Sequence, residues 1–480
     1  MKELLLVILP LAGALLAAVW PSNRTRPWLL PVVGLLHTGL CLWMLFAPPA
    51  LDPGAWLAFD PLARALLPAV SLLFLLCAAY AVPYLTLRTE RPNRVFVALM
   101  LVVPGLLSAG HQARHLGLLW IATEAVTLAA VPLLHFNATA RAYEATWKYL
   151  LVGGTGIALS LLGSFCLGYA SLQGGGAGDL TFVALMAQGP DLSRPWVLAA
   201  WVLLLAGYGT KMGLAPMHTW KPDAYGEAPG IVGAVLAGGV TTVAFTAILR
   251  VRAVLDAAGE AAAADRTLLA IGLFSVLVAA LFLLGTRDFK RMLAYSSVEH
   301  MGILALGAAL GGAGAWAALF HVWGNSLTKG ALFLSAGNIR RAAGARTLDE
   351  VRGMSALMPW SAGIFVTGMF VVTALPPFGP FFSELGIVRA AFATGRGGAA
   401  AVFLGCLVFA FFGLTRVVFG VVDGRPRAAA RVEARRFPET VGLIMPPLVL
   451  LGFSLWLGVS TPEVLREAWT AAVQQLYPHP

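Results

Sequence analysis

Long apolar runs recur along almost the whole chain, and they constrain its fold more than any other feature. A helix needs about 20 mostly apolar residues to cross a lipid bilayer. Runs of roughly that length occupy residues 3–20, 28–47, 66–86, 95–110, 116–135, 148–171, 196–220, 229–253, 267–285, 293–312, 314–337, 359–393, 398–421 and 439–461. The sequence therefore predicts an all-α integral membrane protein with about fourteen transmembrane helices.

Composition agrees with a chain that lies mostly in lipid. Of the 480 residues, 59% are hydrophobic and 12% are charged. Soluble domains are richer in charge, at about 25%. The net charge of +10 fits basic loops of a membrane protein and needs no nucleic-acid partner. The four cysteines lie far apart, each in an apolar stretch, so we predict no metal site, iron–sulfur cluster or other cofactor in this chain. They are Cys41, Cys77, Cys166 and Cys406.

Basic residues divide unevenly between alternate loops. With the N-terminus placed outside, the inner loops hold 20 lysines and arginines, among them Lys221, and the outer segments hold 9, among them Arg250. Inner loops of membrane proteins are enriched in lysine and arginine. The distribution predicts a multi-pass protein of the cell membrane with both termini on the outer side.

Four ionisable residues lie well inside apolar runs. An ionised group near the centre of a bilayer costs about 2.5–3.5 kcal/mol on insertion scales, so some gain must offset each one. Structural ion pairs or side chains that reach to the interface are one explanation, and an ion pathway is the other. The four residues are Glu124, Lys211, Lys329 and Glu384.

Prolines interrupt two of these runs close to an ionisable residue. Lys211 precedes Pro216 by five residues, and Glu384 follows a proline-rich segment at 376–380. Proline breaks helices, and in lipid the freed backbone groups are tolerated only beside protein or a wet cavity. Two broken helices, one in each half of the chain, are typical of ion-translocating membrane proteins with inverted repeats.

Lysine and glutamate together suit a proton pathway. A low-dielectric site disfavours the charged form of a lysine, and a nearby carboxylate favours it again, so a change at the carboxylate loads or empties the lysine. Polar steps must lie between such stations, although a lone histidine is also often only a hydrogen-bonded interface residue. Candidate steps in the same runs are His218, Glu299, His300, His321, Asn325 and Thr328.

Several motifs carry a family resemblance. They read LLWIATEAVTLA, EATWKYLL, KMGLAPMHTWKPDAYGEAP, RDFKRMLAYSSVEHMGILALG, LTKGALFLSAGNI and LPPFGPFFSE. Together they resemble the antiporter-like subunits of respiratory complex I and of multisubunit cation/proton antiporters, and most of all the hydrogenase-4 component F branch. The resemblance implies a core at 95–425 with two inverted five-helix repeats, 95–255 and 265–425. It also implies three N-terminal helices at 1–94, and a C-terminal helix and short tail at 426–480.

The resemblance also assigns roles to residues. It implies that Glu124 pairs with Lys211, that Lys329 serves the second half, and that Glu384 is the last ionisable group of the path. Lys148 matches a family lysine, although Glu144 four residues earlier would also make it an ordinary surface pair. The possible relay residues are Lys148, His218, Thr242, His300, His321 and Asn325.

The chain departs from the family pattern at two places. The eighth run offers Ala237 and Thr242 where relatives carry a mid-membrane lysine or histidine, and Asn325 stands where many relatives have histidine. A hydroxyl or an amide orients water but does not hold a proton charge near neutral pH. The halves are then linked by a water wire, or pumping is impaired.

We therefore expect a proton-translocating membrane subunit of a hydrogenase-4-like or complex I-like oxidoreductase. Its partners would be other membrane subunits and a soluble redox arm, because the chain itself has no redox site. Protons, and sodium as an open alternative, would be the transported ions. Two rival hypotheses are a subunit of a multisubunit sodium/proton antiporter and the membrane partner of an inorganic-carbon uptake complex.

Overall fold

The computed structural model describes residues 2–52 and 54–478, and these residues form helices joined by short loops, with no β-strand beyond isolated bridges. The helices are α1 (Lys2–Val19), α2 (Leu29–Phe46), α3 (Pro61–Thr86), α4 (Arg94–Gln112), α5 (Leu116–Leu134), α6 (Ala140–Gln173), α7 (Phe182–Ala187), α8 (Arg194–Met212), α9 (Trp220–Glu227), α10 (Gly230–Val235), α11 (Thr241–Ala257), α12 (Ala261–Gly285), α13 (Phe289–Ala309), α14 (Gly312–Ala343), α15 (Met354–Leu357), α16 (Pro359–Val372), α17 (Gly379–Ala393), α18 (Gly397–Val422), α19 (Ala428–Arg436), α20 (Val441–Val459) and α21 (Glu463–Leu476). The predicted all-α class is confirmed.

Ten helices of the described chain are long and apolar enough to cross a membrane. They are α1 to α6, α10 and α11 taken together, α12, α18 and α20. Three further helices, α8, α13 and α14, have 19, 21 and 32 residues and carry buried ionisable side chains. The chain is therefore a multi-span membrane protein, whereas the count of fourteen spans stays a prediction.

The first predicted break follows α8. Gly213 ends this helix with a positive φ of 82°. Glycine adopts this conformation without a steric penalty. Hydrogen bonds replace those of the helix: Ala215 donates its N–H to Ser275 Oγ at 2.9 Å, and Trp220 donates its indole N–H to the Thr210 carbonyl at 2.8 Å. The freed backbone groups are thus satisfied by protein, as a break within a membrane requires.

The second predicted break separates α16 from α17. Residues 373–378 leave the helical path, and Ala374 has a positive φ of 59°. Pro380 then stands in the first turn of α17, where a proline costs no intrahelical hydrogen bond. Both interruptions therefore occur at the proline-bearing segments that the sequence indicated.

The eighth run forms a fully buried unit with one irregular turn. α10 and α11 are joined by a turn of π-helix, Leu236–Val240. Such turns frequently mark functional sites. Two hydroxyls bind carbonyls of this turn: Ser326 Oγ donates to Gly238 O at 2.9 Å, and Thr242 Oγ1 donates to Gly239 O at 2.5 Å.

The C-terminal region differs from the predicted short tail. Beyond the helix at 441–459 the chain forms another helix, α21, which packs against the body of the protein. The fully buried Trp469 stacks on Phe320 of α14 with ring centroids 5.1 Å apart. Just after α21, Tyr477 donates its hydroxyl to the Ala308 carbonyl of α13 at 2.7 Å. The expected tail is therefore a packed helix, because its apolar face is buried.

A buried ion pair ties the last helix to the first half of the chain. Arg250 of α11 binds both carboxylate oxygens of Asp60, at 2.6 and 3.1 Å, and Gln475 of α21 donates to Asp60 at 3.2 Å. Sequence analysis counted Arg250 with the outer segments, and the structure places it within α11 with only 4% of its surface exposed. An arginine with a bidentate carboxylate partner can be buried in this way.

Candidate functional site

The first half of the chain places a buried lysine beside its predicted partner. Lys211 lies in the last turn of α8, with 2% of its surface exposed, directly before the break. Its Nζ donates to Thr127 Oγ1 at 2.6 Å and lies 3.4 Å from Glu124 Oε2, both on α5. Gly153 of α6 leaves room for the ammonium group, since a Cβ there would lie 3.0 Å from Nζ. The structure therefore brings Glu124 and Lys211 together.

The second half holds its lysine in a different environment. Lys329 of α14 is fully buried, and its Nζ donates to Ser296 Oγ of α13 at 2.6 Å. Glu299, one turn further along α13, is also buried, and its Oε2 has no hydrogen-bond partner among residues 2–52 and 54–478. Asn325, one turn before Lys329, is buried with neither amide atom bonded within the same residues. Polar side chains therefore lie one turn away from Lys329 and Ser296, and several of their atoms make no hydrogen bond within the described residues.

Two predicted relay histidines form a direct hydrogen bond. His300 Nδ1 lies 2.8 Å from His321 Nε2, and His321 Nδ1 lies 2.8 Å from Ser383 Oγ. The Ser383 hydroxyl donates its only proton to the Pro380 carbonyl at 2.9 Å. His321 must therefore donate to Ser383. With neutral rings, His321 Nε2 then accepts from His300 Nδ1–H. The two rings and the serine form one directed chain of hydrogen bonds.

Glu384 lies beside this chain of hydrogen bonds without taking part in it. It follows Ser383 on α17, is 4% exposed, and neither carboxylate oxygen has a partner within the part of the chain that the structure describes. One of its oxygens and one nitrogen from each of His300 and His321 lie within 4.8 Å of one another. Such a donor set also suits a metal site. Both nitrogens of His321 already take part in hydrogen bonds, so the arrangement favours proton relay.

The π turn of the eighth run and the residues up to Thr246 carry no ionisable group, but a histidine of another helix reaches this part of the run. Ala237 is fully buried in the π turn, and Thr242 Oγ1 lies 3.0 Å from His111 Nε2. His111, on α4, is itself fully buried and also contacts Thr246 Oγ1 through Nδ1 at 2.9 Å. Sequence analysis missed His111 because it stands at the polar end of an apolar run.

Lys148 and His218 lie apart from the buried hydrogen bonds. Lys148 is 48% exposed and pairs with Glu144 at 2.7 Å and Asp223 at 2.9 Å, on the wall of a cavity of about 810 Å³. The surface-pair alternative accounts for these contacts, and a relay role for Lys148 stays a prediction. His218 lies in the first break, where its ring contacts Phe282 at a centroid distance of 6.3 Å.

A second cavity, of about 800 Å³, opens beside the first and is lined by basic residues. Glu227 is common to both cavities and binds Arg340 at 3.1 Å and also Arg346. Lys290 donates to the Ala228 carbonyl at the rim. The first cavity is lined by α9 from Pro222 to Glu227, so this helix borders the cavity along most of its length.

The assignment of Lys221 to a loop is the clearest error of the sequence analysis. This lysine was assigned to an inner loop, but none of its surface is exposed, and its Nζ donates to Ser297 Oγ of α13 at 3.2 Å. The assignment failed because the Trp–Lys–Pro–Asp cluster has the composition of a loop, whereas it begins the short helix α9 inside the protein. The feature of the sequence that could have indicated burial is the position of this lysine directly after a broken helix.

A family comparison covers most of this core. The model of the family described as NADH:quinone oxidoreductase/Mrp antiporter, transmembrane, matches residues 113–410. A hydrogenase-4 component F homolog of Methylacidiphilum infernorum is 33% identical over 472 residues, covering 94% of this chain and 98% of the relative. An NADH-quinone oxidoreductase subunit N of Desulforudis audaxviator is 33% identical over 417 residues, covering 84% of this chain and 81% of that one.

Solved structures share the fold. A chain of the membrane-bound sulfane sulfur reductase, an archaeal respiratory membrane complex, superposes with a TM-score of 0.88 at 23% identity, covering 99% of this chain and 98% of that one. A chain of the Mrp complex from Dietzia sp. gives 0.85 at 23% identity, covering 99% and 97%. A chain of respiratory complex I from Thermus thermophilus gives 0.78 at 21% identity, covering 99% of each. This chain belongs to the family of membrane subunits shared by NADH:quinone oxidoreductases and Mrp antiporters.

Proposed function

We propose that this chain is a proton-translocating membrane subunit of a hydrogenase-4-like or complex I-like oxidoreductase. The observation that carries the proposal is the contact of Lys211 with Glu124 and Thr127 directly before a broken helix. A lysine held between a carboxylate and a hydroxyl, beside backbone that has left the helix, is a group whose charge a neighbour controls.

The first half would load and release one proton. The Lys211 ammonium group is stabilised by the Glu124 carboxylate at 3.4 Å and by Thr127. Glu124 is 21% exposed, whereas Lys211 is almost fully buried, so the carboxylate is the member that a change in a neighbouring subunit can reach. If Glu124 moves away or becomes neutral, the buried ammonium loses its counter-charge and gives up a proton.

The second half would carry the proton onward. Lys329 accepts it and passes it to Glu299, to the His300–His321 pair or to Glu384, all of which are buried around it. Because His321 both donates and accepts, the pair can transfer a proton and then reset by exchanging the positions of its ring protons. Unbonded oxygens on Glu299 and Glu384 are free to receive it.

The energy for transport would come from partner subunits. The relatives in sequence are a hydrogenase-4 component and an NADH-quinone oxidoreductase subunit, each a part of a larger complex by its name. We propose a soluble redox arm, further membrane subunits, location in the cell membrane and both termini on the outer side. The core would span 95–425 as two inverted repeats, 95–255 and 265–425.

The proposal is tested with Lys211→Met and Glu124→Gln in the intact complex. Inverted membrane vesicles are supplied with the native electron donor, and proton uptake is measured together with donor oxidation. We expect the ratio of protons to electrons to fall by about tenfold or more, since a positioned proton carrier typically contributes at least that much. Lys2→Met and Glu467→Gln repeat the same chemical changes at exposed positions and should pump at the parental rate.

Other outcomes point to different functions. Parental pumping by both Lys211→Met and Glu124→Gln would refute the proton-path assignment. Sodium-dependent proton movement without an electron donor would support an antiporter subunit in its place. A complex that purifies with a soluble zinc protein and no redox subunit would support the membrane partner of an inorganic-carbon uptake system.

A further inference from the structure

Lys221 is a further lysine buried within the protein, besides Lys211 and Lys329. It begins α9, directly after the first break, and none of its surface reaches solvent. Its Nζ contacts Ser297 Oγ at 3.2 Å and faces the rings of Trp220 and Tyr225, with centroids 6.0 and 5.8 Å away. Among residues 2–52 and 54–478, no carboxylate lies within ion-pair distance of this ammonium group.

Such an environment is unfavourable for a purely structural lysine. A buried cation loses the free energy of its hydration, and without a counter-ion the protein replaces little of that free energy. Two buried arginines of this protein do have carboxylate partners, since Arg250 binds Asp60 at 2.6 Å and Arg252 binds Asp265 at 3.0 Å, whereas the ammonium group of Lys221 contacts a hydroxyl. A methionine or leucine would fill the place of Lys221 without that loss, so its retention calls for a role that uses its proton.

The position of Lys221 connects the two halves. On one side, its side-chain stem packs so closely against Gly213 that a Cβ there would overlap the Lys221 Cε, and Gly213 lies two residues beyond Lys211. On the other side, Ser297 directly follows Ser296, which accepts the hydrogen bond of Lys329 at 2.6 Å. Two buried lysines thus bind consecutive serines of one helix.

The eighth run leaves a gap that such a residue can fill. Thr242 is bonded to Gly239 O and to His111. Its hydroxyl holds no proton charge.

Building on the function proposed above, we propose that Lys221 is the titrating link between Lys211 and Lys329, in place of the ionisable group absent at Thr242. One proton leaves the Lys221 ammonium, passes by way of the Ser297 and Ser296 hydroxyls, and is bound by the neutral Lys329 amine, so charge is conserved.

Electrostatic repulsion would make this link directional. Two ammonium groups held on consecutive serines of one helix disfavour each other, so a proton that arrives on Lys221 promotes the departure of the proton on Lys329. Glu299 and Glu384 lie around Lys329 and can receive it. Arrival from the first half then drives release in the second.

The test is Lys221→Met in the intact complex, measured as protons per electron in inverted vesicles. We expect a loss of about tenfold or more, with unchanged amounts of assembled complex. Ser297→Ala, which removes only the hydroxyl, should weaken pumping in the same direction. The double variant Lys221→Met with Thr242→Lys should recover most of the parental ratio, because it returns an ammonium group to the link. A structural role for Lys221 would not give this recovery.

Three results would overturn the inference. One is parental pumping by Lys221→Met while Lys211→Met fails, which leaves the proposed function intact and removes only the link. Another is a loss in Lys221→Met that Thr242→Lys does not restore. The third is loss of pumping in His111→Gln together with parental pumping in Lys221→Met, which would assign the link to His111. If Lys211→Met also pumps normally, the proposed function itself fails.

Discussion

The two halves of this protein hold their central lysines in opposite ways. Lys211 has a carboxylate at 3.4 Å and a hydroxyl at 2.6 Å, and the carboxylate is 21% exposed. Lys329 has only a hydroxyl, at 2.6 Å, although the buried Glu299 and Glu384 and the His300–His321 pair lie around it. Among the described residues, the first lysine has a carboxylate partner, whereas the second has none within ion-pair distance.

This difference separates two tasks of a proton path. A paired lysine with a partly exposed partner responds to events outside the chain, because the partner can be moved or neutralised. A fully buried lysine among several unbonded acceptors distributes a proton that it has received. We infer that control is located in the first half and onward transfer in the second.

The largest effect should come from removing the lysine of the second half. Lys329→Met is expected to lower protons per electron by about 100-fold, at the lower end of what a proton-transfer residue contributes. No other lysine contacts Ser296 within the described residues, so nothing replaces the lost amine. Vesicle pumping with the native donor measures this ratio, with Lys2→Met as the control. A smaller loss than in Lys211→Met would contradict the division of tasks.

An intermediate effect is expected for the histidine pair. In His321→Gln the amide can still bond to His300 and Ser383 but does not exchange protons near neutral pH. We expect a loss of about tenfold, since Glu299 remains as a second acceptor for Lys329. The same vesicle assay applies, and His135→Gln, at the end of α5, is the matched control. Unchanged pumping would remove the histidine pair from the path.

The smallest effect is expected at Thr127. Thr127→Val removes the hydroxyl but keeps the shape of the side chain, and Glu124 remains 3.4 Å from Lys211. The net value of one hydrogen bond then predicts a loss of about threefold. Because the interaction belongs to the paired half, the double variant with Glu124→Gln should lose more than the two single losses combined. Simple additivity would indicate that Thr127 and Glu124 act independently.

Sequence analysis located the groups of this site better than their contacts. Long apolar runs predicted a multi-span helical protein, and prolines predicted both breaks. The pairing of Glu124 with Lys211 followed from family resemblance, because no pattern within the sequence states which residues of α5 and α8 face each other. For the same reason the sequence offered Glu144 as a partner of Lys148 but not Asp223, which is 75 positions away.

Lys221 and His111 were missed for physical reasons. A lysine followed by proline and aspartate has the local composition of a solvated turn, and burial there is decided by α13, which lies far along the chain. His111 ends an apolar run, so its depth depends on how α4 packs against Thr242 and Thr246. Local composition reports the tendency of a segment, whereas these two positions are set by tertiary contacts.

The last helix, α21, limits how transport can occur. Gln475 binds the Asp60 carboxylate that also holds Arg250 of the first half, while Trp469 and Tyr477 contact α14 and α13 of the second. The C-terminal segment thus contacts both halves of the chain. A sliding movement of one half past the other would break these contacts together. We therefore expect transport to depend on short movements of side chains while these contacts stay in place.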